Sequence, residues 1–122
     1  DEFDRQSEQT EVKLEFQLGH CPLTPNEDIH VLQIIREAIT NAFKHAGASC
    51  IELRCERGAD SRAVFRVLDD GVGIASDPVK EHHYGLSTMR ERAELLQGTL
   101  DIHPREEGGT EVVLSFMPEV FS

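Results

Sequence analysis

Five short stretches of this chain alternate apolar with polar residues, and two longer stretches repeat apolar residues at helical spacing. The alternation runs through Val12, Leu14, Phe16 and Leu18; Ile51, Leu53 and Cys55; Ala63, Phe65 and Val67; Leu100 and Ile102; and Val112, Leu114 and Phe116. A period of two sends successive side chains to opposite faces, so each stretch predicts a strand with one buried face. Strands buried on both faces would read as continuous apolar runs. The expected sheet is therefore mixed, mostly antiparallel and covered on one side.

The cover is helical. A first helix is expected to open near Asn26, Glu27 and Asp28 and to stop near Ala46 and Gly47. Leu32, Ile35, Ile39, Ala42, Phe43 and Ala46 fall on one side of it, the side expected to pack on the sheet. A second helix follows Gly85, with Leu86, Met89, Ala93 and Leu96 in phase before Gly98 ends it. The order strand, helix, strand, strand, long connection, helix, strand, strand predicts an α/β fold, a two-layer sandwich. It occupies residues 11–118, with a polar linker at 1–10 and a short tail at 119–122. The connection from Ile74 to Tyr84 has weak periodicity and reads as a loop or lid.

At 122 residues there is room for one core. Twenty-three acidic against 12 basic residues give a formal net charge of -11, which repels nucleic acid and anionic membrane surfaces at long range. A single phosphate compound is compatible with that field, because a few backbone N–H groups and one local cation suffice to hold it. Cys21, Cys50 and Cys55 lack Cys-x-x-Cys or zinc-like spacing and read as reduced thiols of an intracellular domain. No stretch is long and apolar enough to cross a bilayer.

Four short elements could carry chemistry. On the first helix Glu37, Asn41, Lys44 and His45 form a polar ridge, expected opposite the sheet-facing stripe. Alone it reads equally as a solvated helix face; with a second element across a cleft it offers oxygens for a hard cation and donors for phosphate. That second element is Asp69-Asp70-Gly71-Val72-Gly73. Asp69 shares parity with Ala63, Phe65 and Val67, so its carboxylate is aimed into the apolar layer and needs a donor, a cap or the exocyclic amine of a purine. Gly71 and Gly73 leave room for a flat ring or simply make a tight turn. Gly108-Gly109-Thr110 leads into the last strand, with Thr110 in phase with Val112, as a hairpin or as a second polar group beside Asp69. Tyr84-Gly85-Leu86 opens the second helix, where free N–H groups favour an anion. Dinucleotide, P-loop and hydrolase-elbow patterns are absent. His20, His30 and His103 read as surface or strand residues, and His82 and His83 as lid residues.

Together, the segments Arg36 to Ala46, Asp69 to Gly73, Tyr84 to Arg92 and Gly108 to Thr110 resemble the catalytic ATP-binding domain of a bacterial sensor histidine kinase with a short ATP lid. His83-Tyr84-Gly85 and Gly109 to Val113 look most like nitrate/nitrite sensor kinases. The resemblance implies a Bergerat-type fold in which Asp69 accepts the adenine amine, Gly109 and Thr110 support it, and Gly71 and Gly73 line the ring. It implies that Asn41 holds Mg2+ with Glu37 assisting the metal or a proton transfer, that Lys44 and His45 face the phosphates, and that Tyr84, Gly85 and Leu86 receive the anionic tail. The implied partners are a dimerisation and histidine-phosphotransfer domain and a response regulator of the LuxR-like class, within a homodimeric inner-membrane sensor whose cytoplasmic part this is. No histidine here sits in the usual acceptor box, so the chain is expected to bind ATP without phosphorylating itself. An anti-sigma type serine kinase, a nucleotide-sensing module and a water-attacking ATPase stand as alternatives.

Overall fold

The computed structural model describes residues 11–16, 23–44, 47–58, 60–72 and 85–121. Among these the chain runs β1 (Glu11–Phe16), α1 (Pro25–Lys44), β2 (Cys50–Arg57), β3 (Ala63–Asp69), α2 (Leu86–Leu95), β4 (Thr99–Pro104) and β5 (Thr110–Phe116), then a 3-10 turn at Glu119–Phe121. The five strands form one sheet in the order β1-β2-β3-β5-β4. β1 pairs parallel with β2, and the other neighbours are antiparallel. The mixed, mostly antiparallel sheet expected from the alternation is thus present, with every predicted strand in place.

One face of the sheet is apolar because the period-two residues of β2 to β5 point to it. Ile51, Cys55, Ala63, Phe65, Val67, Leu100, Val112, Leu114 and Phe116 are buried there, and the Phe65 and Phe116 rings stack with centroids 6.2 Å apart. Burial pushes the Cys55 thiol up to about 11, so it stays protonated and packs as a small apolar group. The other face is polar. Arg66 on β3 bridges Glu56 on β2 and Glu111 on β5, and His103 on β4 meets the same Glu111 at 3.2 Å. Cross-strand ion pairs of this kind suit a sheet face left in water.

α1 begins with a capping box that the expected start at Asn26 to Asp28 did not contain. Thr24 Oγ1 accepts from the Glu27 N–H at 3.2 Å, and Glu27 Oε1 accepts from the Thr24 N–H at 2.8 Å. Glu27 Oε2 also accepts from the Glu119 N–H at 2.9 Å, fastening the last residues to the start of α1.

The sheet-facing side of α1 differs from the expected stripe. Val31, Ile34, Ala38, Asn41 and Ala42 are buried, whereas Leu32 is 64% exposed. Ile35, Ile39 and Phe43 are half-buried at the edge of the core and, with Leu32, line an open groove of about 550 Å³. The reason is steric: small side chains at Ala38 and Ala42 let the helix lie close to the sheet, and the bulkier residues flank that line. The polar ridge is corrected with it. Asn41 borders the core at 4% exposure rather than pointing away from the sheet, while Glu37 is half-buried and Lys44 exposed.

α2 matches its expected phase, with Leu86, Met89, Ala93 and Leu96 all buried. Its stop is achieved differently. The left-handed residue is Gln97, at φ 55°, and not Gly98. Gly98 is needed because a Cβ there would strike the Ser115 carbonyl and the Phe116 Cβ. Replacing Gln97 with Gly is therefore expected to raise the unfolding free energy by about 0.5 to 1 kcal/mol, since only the strained residue is relieved. Gly98→Ala should lower it by more than that, and urea denaturation of both variants provides the comparison.

Candidate functional site

β3 carries its alternation to the last residue, so Asp69 follows Ala63, Phe65 and Val67 into the apolar layer and is 6% exposed. Its Oδ1 accepts from the Gly71 N–H at 2.9 Å, and the Thr110 backbone supplies a second bond. Burial nevertheless raises its carboxyl above the ordinary range, with the neighbouring Asp70 adding to the rise and Arg105 opposing it.

Asp70, one residue on, faces the other way and does opposite work. Its Oδ1 accepts from the Ser49 and Cys50 N–H groups at 2.8 and 2.9 Å, and its Oδ2 from the Ser49 hydroxyl at 2.7 Å. These bonds hold its carboxyl below the ordinary range. They also staple the end of β3 to the start of β2, just after α1. The Ala48 N–H closes on the Ala42 carbonyl at 3.1 Å, so the last turn of α1 and the tip of β3 share one end of the sandwich.

β5 starts at the same end, because its antiparallel register with β3 pairs Leu68 with Glu111. Thr110, the first residue of β5, is 2% exposed. Gly109, at φ 98°, lies so close to the Asp69 peptide that any Cβ would collide with the Asp69 carbonyl oxygen. Glycine is required there for backbone packing. The close approach also brings Thr110 against Asp69, as their shared parity predicts.

The start of α2 meets α1. Gly85 caps the helix at φ 70°, and a Cβ on it would overlap the Glu37 carboxylate, so α1 and α2 meet at this glycine. The Leu86 side chain belongs to the core; what it leaves for a ligand is its backbone N–H in the helix's first turn. His45, Gly73, Tyr84 and the Ile74 to Tyr84 lid lie outside the described residues, as do Cys21 and His20. Of the expected site residues, Asp69, Gly71, Gly109 and Thr110 are brought together, Glu37 meets Gly85, and Asn41 and Lys44 sit on the last turns of α1 at this end. Lys44 is exposed there, at the helix's electronegative terminus.

Two residues escaped the sequence reading. Asp70 appeared as half of an acidic pair, and only the chain crossing beside it shows it as a staple. Arg105 had no signal, since its contact joins positions 36 apart: its Nη1 donates to the Asp69 carbonyl at 2.8 Å.

Among the described residues no cluster of three or more His, Cys, Asp or Glu side chains is arranged to hold a metal, and no buried side-chain nitrogen or oxygen lacks a hydrogen-bond partner. Nor is any helix long and apolar enough to cross a membrane.

The profile of the family described as histidine kinase-, DNA gyrase B- and HSP90-like ATPase matches residues 26–120. The chain is 41% identical over 108 residues, 88% of its length, to the nitrate/nitrite sensor protein NarX of Escherichia coli K12, of which it covers 18%. It is 44% identical over 116 residues, 93% of its length, to the nitrate/nitrite sensor protein NarQ of the same organism, of which it covers 20%. The chain thus spans about a fifth of these relatives. Among solved structures, the ATP-binding domain of PrrB from Mycobacterium tuberculosis superposes with a TM-score of 0.71 over 96% of this chain and 86% of that one, at 23% identity, a likeness of fold.

The two aspartates make opposite predictions. Asp70 has a lowered carboxyl, so its contribution is present above about pH 4 and is lost as pH falls through its folded-state value. Asp70→Ala is expected to cost about 1 to 2 kcal/mol at pH 7, and less as the pH falls below 4. Asp69 has a raised carboxyl, so its contribution is present at low pH and is lost as pH rises through its folded-state value. Asp69→Asn should therefore cost less than Asp70→Ala at pH 7, as chemical denaturation between pH 3 and 7 would show.

Proposed function

The chain belongs to the histidine kinase-, DNA gyrase B- and HSP90-like ATPase family, and from that premise we propose that it binds Mg-ATP between α1 and the tip of β3. It then donates the γ-phosphoryl group to a histidine on a dimerisation domain outside this chain, for onward transfer to a response regulator. The observation that carries this reading is the buried Asp69 carboxylate, held at the end of a strand with Thr110 beside it, at the end of the sandwich where the last turn of α1 lies.

The chemistry of each group follows from its setting. An ionised, buried carboxylate is an acceptor alone, so Asp69 favours a ring bearing an exocyclic amine over one bearing a carbonyl at the same position. The backbone N–H groups at the start of α2 suit the anionic end of the ligand. Magnesium keeps most of its shell as water and phosphate oxygen, so the absence of a protein-built cage among the described residues fits it; Asn41 and Glu37 would hold it, and it would neutralise phosphate charge. Glu37 at the α1–α2 junction is also placed to orient an incoming nucleophile. Phosphoryl transfer depends mainly on positioning and charge neutralisation, which a cleft closed by two helices and two strand ends can supply.

The relatives' names support nitrate/nitrite sensing by the parent protein. With it we propose a homodimeric, membrane-anchored sensor, a LuxR-like response regulator and a cytoplasmic position for this domain. Residues 1–10 then serve as the linker to the dimerisation helices, and His45, Gly73 and Tyr84 join the nucleotide site by their place in the motifs.

Calorimetry with Mg-ADP and Mg-ATP tests the site: wild type should bind, and Asp69→Asn should weaken binding about 10- to 100-fold. Absence of any heat with adenine nucleotides would overturn the reading. Asn41→Ala and Glu37→Gln should abolish transfer to an added acceptor domain. Radiolabelled phosphate should appear there on an acid-labile histidine; phosphoserine, or label on this chain alone, would contradict the assignment.

A further inference from the structure

Asp69 still pairs with Ile51 of β2 but lies one residue beyond the last β3–β5 pair, Leu68 with Glu111, so on that side it has run past the ladder. The donor to its carbonyl comes from Arg105, the residue that follows β4, through Nη1 at 2.8 Å. The same Arg105 closes the β4–β5 turn with its backbone: its N–H donates to the Gly109 carbonyl, and its carbonyl accepts from the Gly108 N–H, both at 3.1 Å. Gly109 in turn packs directly on the Asp69 carbonyl. One residue therefore ties the glycine turn to the peptide that aims the Asp69 side chain, and brings a positive charge to a carboxylate in an apolar layer.

We infer that Arg105 is a positioning residue for base recognition, fixing the direction of Asp69 so that the cleft selects a 6-amino purine over a 6-oxo purine. The inference rests on the reading that this cleft takes an adenine nucleotide. An ionised carboxylate only accepts hydrogen bonds and repels a ring carbonyl, whereas a protonated one can donate to that carbonyl. Whatever holds Asp69 ionised therefore also sets the discrimination. Burial acts on it most, opposed by the N–H bonds from Gly71 and Thr110; among the described residues the charged groups that add to this are Asp70 on its own strand end and Arg105 on the hairpin, with opposite signs. Exposed Glu107 lies 3.6 Å from Arg105 Nη2 and offsets part of its charge.

The test measures binding of ATP and of inosine triphosphate to wild type, Asp69→Asn, Arg105→Lys, Arg105→Gln and Glu107→Gln across pH 5 to 8. Arg105→Gln should bind ATP about three- to tenfold more weakly at pH 7. It should also lose part of the preference for ATP, and lose ATP binding at a higher pH than wild type as acid is added. Arg105→Lys, which keeps the charge, should hold the wild-type pH profile. Glu107→Gln, an exposed change that leaves the fold intact, should move the acid loss to lower pH and decides the matter if Arg105→Gln does not fold. Unmoved profiles and an unchanged ATP preference in Arg105→Gln and Glu107→Gln would overturn the inference, even with lowered stability. Equal ATP binding by wild type and Asp69→Asn would instead overturn the adenine reading beneath it.

Discussion

The structure turns on the contact between Gly109 and the peptide of Asp69. With no side chain at Gly109, the turn before β5 rests on the last peptide of β3, and this close approach places Thr110 beside a carboxylate that would otherwise end in an apolar layer. A buried carboxylate is costly unless hydrogen bonds meet it, and here backbone donors from two chain segments do so. The proposed nucleotide site is built around that junction.

Strand geometry divides the labour between two adjacent identical residues. Asp69 faces inward and its carboxyl is raised by burial; Asp70 faces outward, is lowered by its bonds to Ser49 and Cys50, and binds the sheet together. The recognition we propose for Asp69 and the stapling by Asp70 would then be separated across one peptide bond. The sheet as a whole repeats the division, with a dry face under the helices and a face of ion pairs in water.

α1 shows where reading periodicity fails. It carries two adjacent apolar stripes, and spacing alone does not say which one faces the sheet. The helix rests on Val31, Ile34, Ala38 and Ala42, where the two alanines allow close approach to the sheet, and Leu32 is left exposed. That rotation carries Asn41 from the expected solvated ridge to the border of the core.

The strands, the phase of α2, the inward parity of Asp69 and Thr110 and the membership of the four motifs were all legible in the residues alone, because each rests on local alternation or on short ordered spacing. The rotation of α1, the left-handed stop at Gln97, the Asp70 staple and the reach of Arg105 to Asp69 were decided only by the fold. They join positions far apart in the chain, or depend on how closely two elements approach, and neither separation nor distance is written in a period.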